Sequence, residues 1–197
     1  MMGDVEALPL PRPQRTAPVV ESEVLAMVVF IFTEVMFFAG LVSGYSIVKG
    51  RALAGIWPPV TDPDLPAGAT ALSTVALLLS GLAVFLAGKR YVPDRAGAMR
   101  LLWAGTVLAT GFVVWQCVEA AQLLRAGLTM VSSAHGGFFY TIVGAHALHA
   151  VVAIVILTLA NVRLARGAMT PAVFRAVRVF WYFVVGLWPF LYTVVYL

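Results

Sequence analysis

The chain has 197 residues, of which 61% are hydrophobic and 11% charged, with a mean hydropathy of +0.95. A soluble domain of this size needs far less apolar surface, so the composition implies an integral membrane protein. The net charge of +4 then bears on topology and lipid headgroups, and nucleic acid is not an expected partner.

Residues 1–22 read as a polar, proline-rich arm, with Pro9, Pro11, Pro13 and Pro18. No basic segment followed by a short apolar stretch and a cleavage site precedes Val24, so the first span is expected to act as the insertion signal. Residues 23–197 form the transmembrane part. Five apolar segments are predicted as helices, at about 24–48, 69–88, 98–124, 137–162 and 172–196, each long enough to cross a ~30 Å hydrocarbon core. The fold class is therefore an all-α bundle of five transmembrane helices. With most of each helix apolar all round, a packed bundle is expected and a pore is not.

The first span carries Glu34 at the centre of an unbroken apolar run. A carboxylate there costs roughly 2.5–3.5 kcal/mol on insertion scales and marks a functional-site candidate. The same span has a small-residue step at Gly40 and Gly44, with Ser80-Gly81 and Gly105 as further close-approach points. Between the first two spans, the connector carries Trp57-Pro58-Pro59 and closes at Pro66. In the third span lie Gln116, Cys117 and Glu119. The single cysteine reads as a small buried hydrophobe, while Glu119 is near enough to the helix end to meet water or Arg125. His146 and His149 stand at i and i+3 on the fourth span, and so leave one helical face. Pro171 suits the first turn of the last helix.

Basic residues set the expected orientation. Of the 13 Lys and Arg, all but Lys49, Arg51 and Arg125 lie in the N-terminal arm or around the second and fourth connectors. Positive-inside asymmetry then places the N-terminus in the cytoplasm and Leu197 outside.

Glu34, His146 and His149 fall at similar depths, so a polar cluster is expected, with Gln116 and Thr33 close enough to join. A metal would need more ligands than this, and His135 near the outer surface is the one other histidine. Two axial haem histidines cannot come from one helical face. No metal or haem is expected in this chain. There is no nucleophile triad, phosphate-binding glycine loop or cysteine pair, so a component of a larger assembly is expected and an independent catalyst is not.

The order of these features resembles subunit III of the haem-copper terminal oxidases. The elements are Thr33-Glu34-Val35-Met36-Phe37-Phe38, Trp57-Pro58-Pro59, Leu78-Leu79-Ser80-Gly81, Gln116-Cys117-Val118-Glu119, and Phe139-Tyr140 followed by Gly144-Ala145-His146-Ala147-Leu148-His149. Five helices are similar to the bacterial form, without the two N-terminal helices of the seven-helix form. One departure stands in the last span. Where the family commonly has Trp-His-Phe-Val-Asp, this chain has Trp181-Tyr182-Phe183-Val184-Val185.

What the resemblance implies is a non-catalytic subunit in a bacterial cell membrane. It would pack beside catalytic subunit I, with subunit II in the same complex, and haems and copper would belong to those partners. It would hold phospholipid, protect the enzyme during turnover and support proton uptake as O₂ is reduced. Glu34 would correspond to the family's carbodiimide-reactive glutamate, and Glu119, Gln116, His146 and His149 to polar positions at lipid or subunit I contacts. Two other readings share part of the pattern: an accessory subunit of a nitric oxide reductase, and a small proton-coupled transporter.

Overall fold

A computed structural model describes residues 22–52 and 57–197. The helices are α1 (Ser22–Gly50), α2 (Ala67–Arg90), α3 (Arg95–Arg125), α4 (Ala134–Ala165) and α5 (Pro171–Tyr196). All five are long and apolar enough to cross a membrane. The expected arm lies outside the described residues, except Ser22, which opens α1.

Each helix outruns its apolar segment by one to three residues at most ends, because polar groups close it. Asp94 caps α3 by accepting from the Gly97 N–H at 2.8 Å, and Ser133 caps α4 by accepting from Gly136 at 2.9 Å. Thr170 does the same for α5, ahead of Pro171 in the first turn. The far ends of α3 and α4 stop alike. Gly127 and Gly167 take positive φ of 98° and 73°, and the residue after each donates back to a carbonyl five residues earlier: Leu128 to Leu123 at 3.0 Å, Ala168 to Arg163 at 2.9 Å. The chain then reverses within a few residues.

The connectors 91–94 and 166–170 leave at one end of the bundle, and 51–66 and 126–133 at the other; we call these the short-connector and long-connector ends. α2 packs on α3, α3 on α4, α4 on α5, and α5 returns to α2. These four enclose a core built on Leu77, Val84, Leu102, Phe112, Ile142, Leu157, Trp181 and Trp188. Small residues let the backbones close in. A Cβ on Gly105 would meet Val84 Cγ2 at 3.0 Å and the Ser80 carbonyl at 3.1 Å, and one on Gly81 would meet Val185 Cγ1 at 3.0 Å. The Gly40–Gly44 step differs from expectation. Gly40 faces open space, and only Gly44 meets a neighbour, Phe138 at 3.3 Å.

α1 lies against α4 and α5 on the flank of this group. It buries only Phe38 and Tyr45, leaving Val29, Phe32, Val35 and Met36 exposed. Such a helix is covered by lipid or by another protein.

Candidate functional site

Glu34 lies about 24 Å along α1 from Gly50, and His149 about 22 Å along α4 from Ala134, both measured from the long-connector end. Their depths match, and Glu34 Oε2 stands 2.9 Å from His149 Nε2. The other ring nitrogen, Nδ1, is 2.7 Å from the Ala145 carbonyl one turn back. That contact fixes the imidazole plane, so Nε2 is the atom held out to the carboxylate. Phe38, one turn beyond Glu34 on α1, sets its ring edge-on to His149 at 5.4 Å. The two side chains remain 17% and 16% exposed. The pair is therefore open on one side.

The other expected members of the cluster go elsewhere. His146 turns into the core, 1% exposed, and stacks on Trp188 with centroids 4.9 Å apart. Neither of its ring nitrogens has a hydrogen-bond partner among the described residues. Three residues of offset turn the side chains about 60° apart on the same broad face, and α4 packs on both α1 and α5, so that His149 meets Glu34 while His146 meets Trp188. Thr33 donates back to the Phe30 carbonyl at 2.7 Å. Gln116 reaches Tyr196 through a long 3.5 Å contact.

Glu119 belongs to a second group near the long-connector end. It is 3% exposed and makes no ion pair with Arg125. Instead Oε2 accepts from Thr70 at 2.9 Å and Oε1 from the Trp115 indole at 2.7 Å. Trp115 is on α3 itself, whereas Thr70 is on α2, so this carboxylate ties those two helices together. One turn deeper, Trp188 donates to Thr74 at 2.8 Å and ties α5 to α2. Cys117 corrects its sequence reading: it is exposed on the bundle surface, facing away from the core.

Trp57, Pro58 and Pro59 lie over the same end, with residues 53–56 outside the described set. The Trp57 indole donates to Tyr45 at 3.0 Å and sets its edge against His135 at 5.4 Å. His135 is buried, and its Nδ1 is 3.0 Å from Asp62, which also accepts from Ser133 at 2.6 Å. Sequence reasoning missed this group. Asp62 sits in a polar loop 73 residues from His135, and neither residue shows a periodic signal.

Between α1, α4 and α5, towards the short-connector end, runs a mainly apolar groove of about 320 Å³. Its walls include Met27, Ile156, Leu159 and Val173, and Glu23 and Arg163 supply its charged groups. Among the described residues no three His, Cys, Asp or Glu side chains converge as metal ligands. The histidines are committed instead to Glu34, Asp62 and the Trp188 ring.

The comparisons with known proteins bear on the family of the chain. A family model described as cytochrome c oxidase subunit III matches residues 11–197. The chain is 32% identical over 176 residues to a probable cytochrome c oxidase subunit 3 of Mycobacterium leprae, covering 86% of this chain and 84% of that protein. It is 30% identical over 190 residues to the cytochrome c oxidase subunit 3 of Latimeria chalumnae, covering 92% and 71%. It is 29% identical over 175 residues to a probable cytochrome c oxidase subunit 3 of Nocardia farcinica, covering 86% and 84%. With its five spans, its intramembrane glutamate and these matches over nearly its whole length, the chain belongs to the cytochrome c oxidase subunit III family.

Proposed function

We propose that this chain is a non-catalytic subunit of a respiratory oxidase in a bacterial cell membrane. It packs against catalytic subunit I, in a complex that includes subunit II, and steadies subunit I together with its bound lipid. The N-terminus lies in the cytoplasm and Leu197 outside, so the short-connector end, which carries most of the Lys and Arg, faces inward.

The observation that carries this reading is α1. It is a full-length spanning helix with two buried residues, and it bears a mid-helix carboxylate, held by His149, that is left partly uncovered. A partner or a lipid that covers this face shields the pair, whose exposure to bare hydrocarbon is costly. Phospholipid fits the groove at the inner end of α1. Acyl chains would lie along Met27, Ile156 and Leu159, and the phosphate would meet Arg163. Haems and copper belong to the partner subunits. A Glu34 environment that depends on neighbours also gives a route by which this chain supports proton uptake by subunit I.

The test is a mild-detergent purification of the tagged native chain, with a redox difference spectrum and mass spectrometry of the proteins that co-purify. Haem-bearing subunit I and subunit II are expected in the eluate. A colourless, homogeneous protein would overturn the proposal. Loss of this subunit is further expected to lower the number of turnovers before the oxidase inactivates.

A further inference from the structure

The last helix carries a cation that the proposed function leaves unused. Arg178 lies about 10 Å into α5, half-buried against α2. Its guanidinium covers Gly88, where a Cβ would collide with Cζ, Nη1 and Nε. A side chain at that position would have to displace the guanidinium from its seat. Two rings hold the guanidinium from within its own helix: Phe174, with its centroid 5.7 Å from Cζ, and Tyr182 at 5.6 Å. Nε donates to the Tyr182 hydroxyl at 3.1 Å. Tyr91 stacks on Phe174 at 4.6 Å and donates to the Met169 carbonyl at 2.8 Å, which locks that ring in turn.

This cation has no carboxylate within 4.0 Å among the described residues, since both ion pairs there are those of His135 and His149. The acid in the adjoining connector, Asp94, caps α3. Gly88 is about 3 Å from the end of α2, so the guanidinium stands at headgroup depth. Lys89 and Arg90 come directly after it and are exposed at the same end. A positioned guanidinium with its Nη fork free binds a planar or tetrahedral oxyanion through two parallel hydrogen bonds. Basic pockets between spanning helices on the cytoplasmic side take anionic lipid headgroups.

We propose that Arg178, seated on Gly88 and oriented by Tyr182, binds the phosphate of an anionic phospholipid in the inner leaflet, with Lys89 and Arg90 adding to its charge. The site is distinct from the groove at Arg163, which lies on the α1 side of α4 and α5. It also accounts for one departure from the family pattern. Where relatives carry His in Trp-His-Phe-Val-Asp, Tyr182 supplies the hydroxyl that orients Arg178. Where they carry Asp, Val185 packs onto Gly81. The leaflet assignment rests on the orientation given under the proposed function; the site geometry does not.

The experiment uses the purified complex, washed with detergent and then titrated in nanodiscs with phosphatidylglycerol or cardiolipin, with phosphatidylcholine as the neutral control. Native mass spectrometry counts the lipid retained. Arg178→Gln is expected to weaken retention of anionic lipid about fivefold, the worth of one basic residue at such a surface. Gly88→Ala and Tyr182→Phe, which keep the charge but disturb its seat, are expected to give smaller losses in the same direction. Equal retention by wild type and all three variants would overturn the proposal, as would an equal loss of phosphatidylcholine. Displacement of lipid by millimolar inorganic phosphate would show a soluble oxyanion as the ligand and overturn the lipid assignment. Unchanged lipid with a loosened subunit I would assign Arg178 to a partner's carboxylate instead. The haem spectrum of the same preparation reports separately on membership of an oxidase.

Discussion

Glu34 on α1 and His149 on α4 meet at 2.9 Å near the middle of the bundle, and among the described residues theirs is the one carboxylate–histidine contact that joins α1 to the other helices. α1 otherwise holds its place through Phe38, Tyr45 and partly buried side chains such as Met27, Leu41 and Val42. The contact therefore does two structural things. It sets where a mid-membrane carboxylate stands, and it fixes the register of the least buried helix.

Removing either partner leaves the other without its match at membrane depth. Glu34→Gln or His149→Ala is expected to lower the stability of the assembled complex by about 1.5–3 kcal/mol, the range for a hydrogen bond to a charged group, and nearer the low end given the partial exposure of both side chains. The double variant is expected to lose less than the sum of the two, with a coupling of at least ~0.5 kcal/mol. Detergent-induced release of the subunit measures all three. Strict additivity would mean that the pair is not coupled.

Glu119 binds Thr70 and Trp115 from a site 3% exposed. Glu119→Ala strands the buried Thr70 hydroxyl and the half-exposed Trp115 indole, and is expected to destabilise the subunit by about 1–3 kcal/mol. Thr70→Val removes one donor and should cost less. Thermal release of the subunit from the complex, read by blue-native gel, ranks the two. An equal effect of both would contradict a carboxylate held from two sides.

Asp62 anchors residues 57–66 of the connector to the start of α4 through Ser133 and His135. Asp62→Ala is expected to free that connector while leaving the spans in place. Limited proteolysis from the long-connector side should then cut within 51–66 several-fold faster than in wild type. An unchanged cleavage rate would show that Trp57 on Tyr45 suffices to hold it.

At Gly105 the α2 backbone comes close, with the Ser80 carbonyl 3.1 Å from where a Cβ would stand. Gly105→Val is expected to push α2 from α3 at a cost of about 1–3 kcal/mol. Gly40→Val, at a glycine with open space around it, is expected to be close to neutral. Parallel expression and detergent stability of the two variants test the contrast. It separates two glycines that look alike in the sequence.

Much of this fold is legible from hydropathy alone, because spanning helices must satisfy their backbone internally and so declare themselves as long apolar runs. The helix ends are less legible, because Asp94, Ser133 and Thr170 are polar, and polar caps lie beyond the last apolar residue they serve. Depth places Glu34 beside His149, since α1 and α4 both carry apolar segments of readable length. Rotation about the helix axis is not readable in the same way. An apolar residue on a membrane helix faces lipid as readily as core, so nothing in the sequence distinguishes the side of His146 from that of His149, or the outward side of Cys117 from an inward one. Side-chain partners across long separations, Asp62 with His135 and Thr70 with Glu119, are set by how the bundle closes and leave no local pattern.

The light hold on α1 bears on how cells keep subunits in proportion. A copy outside its complex presents a spanning helix with an exposed apolar face and a partly exposed carboxylate, surface that a partner or lipid would otherwise cover. The surplus chain is expected to be cleared in pulse-chase labelling while the assembled chain persists, and Glu34→Gln, which removes the carboxylate held by His149, is expected to shorten the orphan's half-life further. The same loosely packed helix that leaves room for a neighbour would thus serve as a count of whether the neighbour has arrived.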